Sequence, residues 1–171
     1  MTTNINIKSY KTFFFIMSIA FNNFETPTLT VSYICNPFDW LVSIFKSGSS
    51  VGDSQNFTQF VNEWCVNNAN VSPFLQLFDD LGQCICDVII RHEHLAIGLN
   101  YLDEMYNMKM SVLPSMNTDD YKRYYNHHTI RLVEERFRWE LDTFQYNFFD
   151  GLTNGAPAVI IDAKKIRINV N

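Results

Sequence analysis

Residues 84–95 read CICDVIIRHEHL. Two cysteines one residue apart precede two histidines one residue apart, with acids between them. The folding of this stretch decides how the middle of the chain is built and whether its soft side chains meet. On a helix each residue turns by about 100°, so Cys84 and Cys86 point about 200° apart, as do His92 and His94. On a strand the members of each pair share a face. The surroundings favour the helix. Leu77, Leu81, Cys84, Val88, His92, Leu95, Leu99, Leu102 and Tyr106 recur every three or four residues along one seam. Ser72-Pro73 supplies a cap and a tolerated first-turn proline. The spacing predicts one helix from there to about Met110. Gly82 and Gly98 each weaken it by roughly 1 kcal/mol against alanine, and one of them marks a bend or a close contact.

The helical reading disposes of a metal centre. Structural zinc sites use C-x₂₋₄-C and H-x₃₋₅-H spacings. Cys84 and His92 share a face but stand about 12 Å apart along a helix axis. The metal candidates Cys84, Cys86, His92 and His94 are therefore expected to hold no ion. Cys84 becomes a small core residue and His92 a core histidine in need of a polar partner.

A second long helix is expected from Asn117–Asp120 to about Phe149, stopped by Asp150-Gly151. Its stripe is Ile130, Val133, Phe137, Leu141, Phe144 and Phe148, with Arg131/Glu135, Glu134/Arg138 and Arg136/Glu140 as i,i+4 pairs. Each helix would run roughly 45–55 Å, and a short loop would fold them into an antiparallel αα-hairpin. Counting from the loop places Glu135 level with His92, which predicts a buried polar pair of His92 and Glu135. No Glu-x-x-His occurs, so a carboxylate-bridged dimetal site is not expected.

Outward from these helices the chain turns to strand at both ends. NINIK alternates, the run Phe13–Phe21 is apolar on both faces, and TLTVSYI places Leu29, Val31 and Tyr33 on one face. Asn36-Pro37 opens a shorter helix carrying Trp40, Leu41, Ile44 and Phe45. Phe57, Phe60, Val61, Trp64 and Cys65 mark another. AVIID and the alternating KIRINV return to strand. The expected class is α+β: a small mixed or antiparallel sheet from the N-terminal hairpin and C-terminal strands, packed with the helix pair and two shorter helices. One domain spanning 1–171 is expected, mainly β over 1–35, mainly α over 36–150 and β over 156–171.

Composition narrows function. The chain has 171 residues, 47% hydrophobic and 15% aromatic, enough for a sizeable core. Charged residues are only 18% and the net charge is −5, which argues against a duplex binder needing a basic face. Thr12–Phe21 mimics a signal peptide without its cleavage site and is too short to span a bilayer as a helix. Reduced thiols and an intracellular setting, cytoplasmic or inside a particle, are expected for Cys35, Cys65, Cys84 and Cys86. Asn56 and Asn70 match glycosylation sequons by chance in an Asn-rich chain.

No catalytic or cofactor-binding constellation stands out, and no cofactor is expected. YKRYYN followed by His127-His128 has residue types that hold phosphate or bases, but no glycine-rich loop accompanies it. GLTNGAPA follows a helix and reads as a turn. Trp139, Tyr146, Phe148 and Phe149 exceed what one seam can bury, and aromatics dominate interfaces. The leading expectation is a non-catalytic structural or interaction protein, a subunit of a homo- or hetero-oligomer. The Asn/Ile/Phe/Tyr bias suggests a viral or phage source. The alternatives are a small acidic module for a basic partner, and an enzyme whose site sequence does not reveal.

Overall fold

A computed structural model describes residues 4–10, 14–20, 29–47, 56–67, 72, 74–106, 120–153 and 155–168. The fold is α+β, and its contacts divide it into two compact units. A sheet unit comprises residues 1–34, 73–115 and 157–171; a helical unit comprises 35–72 and 116–156.

The sheet unit carries β1 (Asn4–Tyr10), β2 (Phe14–Ala20), β3 (Leu29–Ile34), β4 (Val88–Arg91), α3 (Leu95–Tyr106) and β7 (Val159–Ile161). Strand order is β1-β2-β3-β4-β7. The first three strands form an antiparallel meander, which contains the expected N-terminal hairpin. β3 then pairs in parallel with β4, and β7 closes the other side antiparallel. Both terminal segments thus join one sheet, at opposite edges. KIRINV does not form the last strand as expected. Ala163–Lys165 coils into a 3₁₀ turn, and Arg167 makes an isolated bridge to Gln83. Residues 169–171 lie outside the described residues.

The long helix over Ser72–Met110 is the main correction. Leu75–Leu77 is a 3₁₀ turn, Val88–Arg91 is strand, His92–His94 is a 3₁₀ turn, and only Leu95–Tyr106 is α-helical. Gly82 adopts φ +72°, a left-handed conformation that ends any helix there. The Asp79 carboxylate accepts from the amides of Leu81 and Gln83, both at 2.9 Å, and so builds a turn out of DDLG. Leu81, expected on the seam, is 85% exposed at that turn. All four residues of β4 are buried. A strand covered on both faces shows no alternation, so its apolar run fits a helical template by accident. The β-branched Val88-Ile89-Ile90 is the local signal that agrees with the strand.

From Leu95 onward the helical pattern holds. Leu102 packs with Leu29, Val31, Val88 and Ile90 in one cluster, and Leu95, Tyr101 and Tyr106 lie against it. Gly98 lets the helix approach Ile90 closely.

The helical unit carries α1 (Pro37–Lys46), α2 (Phe57–Asn67), α4 (His127–Arg136), α5 (Arg138–Phe144) and a small hairpin of β5 (Tyr146–Asn147) and β6 (Gly151–Leu152). α1 starts as expected, with Asn36 capping and Pro37 in the first turn. The second long helix is shorter and interrupted. Asn126, not Asn117–Asp120, caps α4, in a reciprocal box with Thr129. Residues 117–119 lie outside the described residues, and Asp120 caps a 3₁₀ turn, Tyr121–Tyr124. Phe137, fully buried with φ −109° and ψ 23°, separates α4 from α5. The extended αα-hairpin is therefore replaced by shorter helices assigned to two units.

The core of the helical unit is aromatic. Phe38 meets Tyr125 at 5.3 Å and Phe148 at 5.0 Å, Phe57 meets Tyr125 at 4.8 Å, and Trp40 meets Trp64 at 5.6 Å. All four pairs are edge-to-face, the arrangement favoured by ring quadrupoles.

Burial in this core has a consequence at alkaline pH. The Tyr125 hydroxyl donates to the Phe38 carbonyl at 2.8 Å, and burial pushes its pKa well above 10.0, with Cys65, Asp39 and Tyr121 adding to the shift. Burial also pushes the Cys65 thiol up to about 11, partly offset by Arg136. Both groups stay neutral in the fold while their unfolded counterparts ionise. Their contribution is full below pH 9 and is lost as pH rises through 9 to 11 and beyond. The melting temperature is expected to fall steeply over pH 9–11, and less steeply above pH 10 in Tyr125→Phe. Equal slopes in both proteins would refute the assignment.

Candidate functional site

Residues 84–87 are not helical and Val88–Arg91 is strand, so the helical geometry expected for the Cys/His stretch does not hold. Cys84 bridges to Phe78, and Cys86 lies just ahead of β4. Cys84 Sγ lies 3.9 Å from the Cys86 carbonyl oxygen. Cys84 and Cys86 are 1% and 0% exposed. The neighbouring Cys86 lowers the Cys84 pKa, opposed by burial. The neighbouring Cys84, with burial, raises that of Cys86.

The surrounding backbone is fixed on every side. Cys84 N donates to Ile166 O at 3.1 Å, Ile85 N to Leu77 O at 2.8 Å and Asp87 N to Thr30 O at 2.8 Å. The Asp87 carboxylate accepts from Thr30 N at 2.8 Å and pairs with Lys164 at 2.6 Å. All four cysteines are free thiols, and among the described residues no group of three or more His, Cys, Asp or Glu could hold a metal ion.

The expected buried pair of His92 and Glu135 is not found. His92 is half-buried in the 3₁₀ turn between β4 and α3, as is His94, and Glu135 is exposed on α4. The pairing came from levelling two long helices that do not exist. Among the described residues the buried charged side chains are instead Arg91 and Glu140. Arg91, the last residue of β4, donates from Nε to the Pro157 carbonyl at 2.7 Å. A seam count could not single it out, because arginine in a four-residue strand looks like a boundary.

In the helical unit the four aromatic candidates separate. Tyr146 and Phe148 are core residues, Trp139 is half-buried against Phe144 at 6.0 Å, and Phe149 is 69% exposed. Phe149 sits in the turn between β5 and β6. That turn is held rigidly: Asn36 Nδ2 donates to the carbonyls of Asn147 (3.0 Å) and Gly151 (3.1 Å). Tyr121 donates to Phe148 O at 2.9 Å, and Lys122 donates to Phe149 O. Beside it lies a cleft of about 300 Å³. Buried Phe38, Leu141, Tyr146 and Phe148 line it, together with exposed Glu134, Arg138 and Asp142.

YKRYYNHH proves mostly structural. Tyr121 and Tyr125 turn their hydroxyls onto backbone, and His128 Nε2 bonds Asn62 Oδ1 at 2.9 Å. Tyr124 differs: Arg123 and Lys46 lie 5.2 and 5.4 Å from its ring centroid, and the Arg123 hydrogen bond to its hydroxyl at 3.3 Å, with Lys46 adding, lowers its pKa. Among the described residues, no helix is long and apolar enough to cross a membrane. The chain matches no protein family, no curated protein and no solved structure.

Proposed function

We propose that this protein is a non-catalytic interaction subunit that binds a protein partner, a second copy or a different chain, through the turn carrying Phe149. One observation supports the reading above others. A large aromatic side chain is 69% exposed on a turn whose carbonyls are tied by three side chains. Rigid aromatic anchors are the residues that most often dominate binding, because little entropy remains to be lost on docking. The adjacent cleft offers a concave surface at the same place. Lys122, Glu134, Arg138, Asp142 and Asp150 surround the two with exposed charge of both signs, as at the polar rim of an interface.

Light scattering at micromolar concentration tests the homo-oligomeric form. The chain is expected to exceed monomer mass, and Phe149→Ser is expected to return it to monomer with unchanged circular dichroism. A wild-type monomer removes self-association. Partner capture that survives Phe149→Ser removes this surface as the anchor.

A further inference from the structure

We infer that Arg123, Lys46 and the Tyr124 hydroxyl form a binding site for a doubly charged phosphoryl group, either free phosphate or a phosphate monoester. Arg123 Cζ and Lys46 Nζ lie 5.2 and 5.4 Å from the Tyr124 ring centroid. Arg123 Nη2 donates to the Tyr124 hydroxyl at 3.3 Å. Two cations from separate elements, the last residue of α1 and the 3₁₀ turn Tyr121–Tyr124, thus meet at one ring. Both elements belong to the helical unit.

The cradle is fixed before any ligand arrives. Asp120 caps the turn by accepting from Lys122 N at 3.2 Å. Tyr121 and Tyr125, on either side of the site in sequence, donate to the Phe148 and Phe38 carbonyls. The Tyr124 ring meets Phe57 edge-to-face at 5.6 Å. Arg123 and Lys46 remain exposed and Tyr124 half-buried. Groups held in place in this way lose little entropy on binding.

The chemistry of the three groups selects the ligand. Guanidinium and ammonium only donate, and the hydroxyl, already accepting from Arg123, has its own proton left to give. Such a set calls for a ligand that accepts. Two like charges at one ring repel each other. Among the described residues no carboxylate pairs with Arg123. A dianion between the cations turns that repulsion into charge-assisted hydrogen bonds, and the arginine fork matches two oxygens of one phosphate. Base stacking is the other use of tyrosine beside arginine. Here the ring is already engaged by both cations and by Phe57, which favours the phosphoryl group.

The test follows the full-length chain by two-dimensional NMR during titration with inorganic phosphate, methyl phosphate or dimethyl phosphate at constant ionic strength. Saturable shifts centred on Arg123 and Tyr124 are expected with the first two probes. Dimethyl phosphate carries a single charge and should bind at least about 10-fold more weakly. The tighter of the first two identifies the source, free ion or monoester. Arg123→Gln and Lys46→Gln should each lower phosphate affinity by at least about 10-fold, the loss of one charge-assisted hydrogen bond. Tyr124→Phe should lower it by ~3- to 10-fold, since only the hydroxyl is removed. Lys165→Gln removes the same charge in the sheet unit and should stay within about 2-fold of wild type, because exposed distant charges are screened. Circular dichroism checks that each variant folds. Should one unfold, the position of the shifts in the wild type decides. The proposal is overturned by no saturable shift up to about 20 mM phosphate, or by shifts centred away from Arg123 and Tyr124. Equal affinity for dimethyl phosphate, wild-type affinity in folded Arg123→Gln or Lys46→Gln, or an equal loss in Lys165→Gln would also overturn it.

Discussion

Replacing Asn36 with alanine is expected to destabilise the helical unit by about 3 kcal/mol, summed from a lost helix cap of ~1 and two or more buried hydrogen bonds of ~1 each. Asn36 is 1% exposed and uses both ends of its side chain. Its oxygen accepts from Phe38 N at 3.1 Å and starts α1. Its amide nitrogen donates to Asn147 O, Gly151 O and the Tyr121 hydroxyl. Deletion would leave these carbonyls without their donor while the helix loses its cap. Asn36→Asp separates the two roles, since a carboxylate keeps the acceptor and loses the donor. It is expected to cost at least as much as alanine, because the carboxylate would face carbonyl oxygens. Denaturant melts followed by tryptophan fluorescence would measure both. A loss below about 1 kcal/mol for alanine would show that the network contributes nothing beyond the cap.

Gly98→Ala carries the second large effect, and its sign is the informative part. In an exposed helix interior the change stabilises by roughly 1 kcal/mol. Here an added Cβ would land inside the Ile90 side chain, against Cγ2, Cγ1 and Cδ1. Ile90 is fully buried in β4 and has β3 and β7 on either side, so it has little room to move. Overpacking of this kind costs ~1–3 kcal/mol. The expected outcome is destabilisation by about 2 kcal/mol, with part of it recovered in the Gly98→Ala/Ile90→Ala double variant. That recovery would appear as a coupling energy of ~1 kcal/mol or more in a double-mutant cycle. A stabilised Gly98→Ala protein would mean that α3 does not approach β4 as closely as described.

The same contact shows how far the sequence could be read. A glycine within an apolar helical pattern signals either a bend or a close approach, and only the neighbour on the sheet decides between them. Asn36-Pro37 was fully legible, because capping chemistry is local and the residues that satisfy it are adjacent. The second role of Asn36, gripping a turn more than a hundred residues away, left no local trace.

The dithiol followed the same rule in reverse. Cys84 and Cys86 were conspicuous as residues, but their relation depended on whether the backbone was helix or strand. Periodicity chose the helix because β4 is buried on both faces and so lacks alternation. The turn chemistry of DDLG and the run Val88-Ile89-Ile90 pointed the other way. Phe149 was named among four aromatics, and burial in the helical unit separated it from Tyr146 and Phe148.

By itself the sequence determined the α+β class, the N-terminal hairpin, the starts of α1 and α2, the helical pattern of α3 and the aromatic content of the core. These rest on signals carried within a few residues: alternation, caps and the 3.6-residue period. Only the tertiary structure decided that residues 88–91 pair between β3 and β7, that Cys84 and Cys86 are buried outside any helix, and that His92 and Glu135 are not buried partners. Those outcomes depend on which segments lie alongside each other. A four-residue strand has too little local preference of its own, and takes its conformation from the ladders on either side.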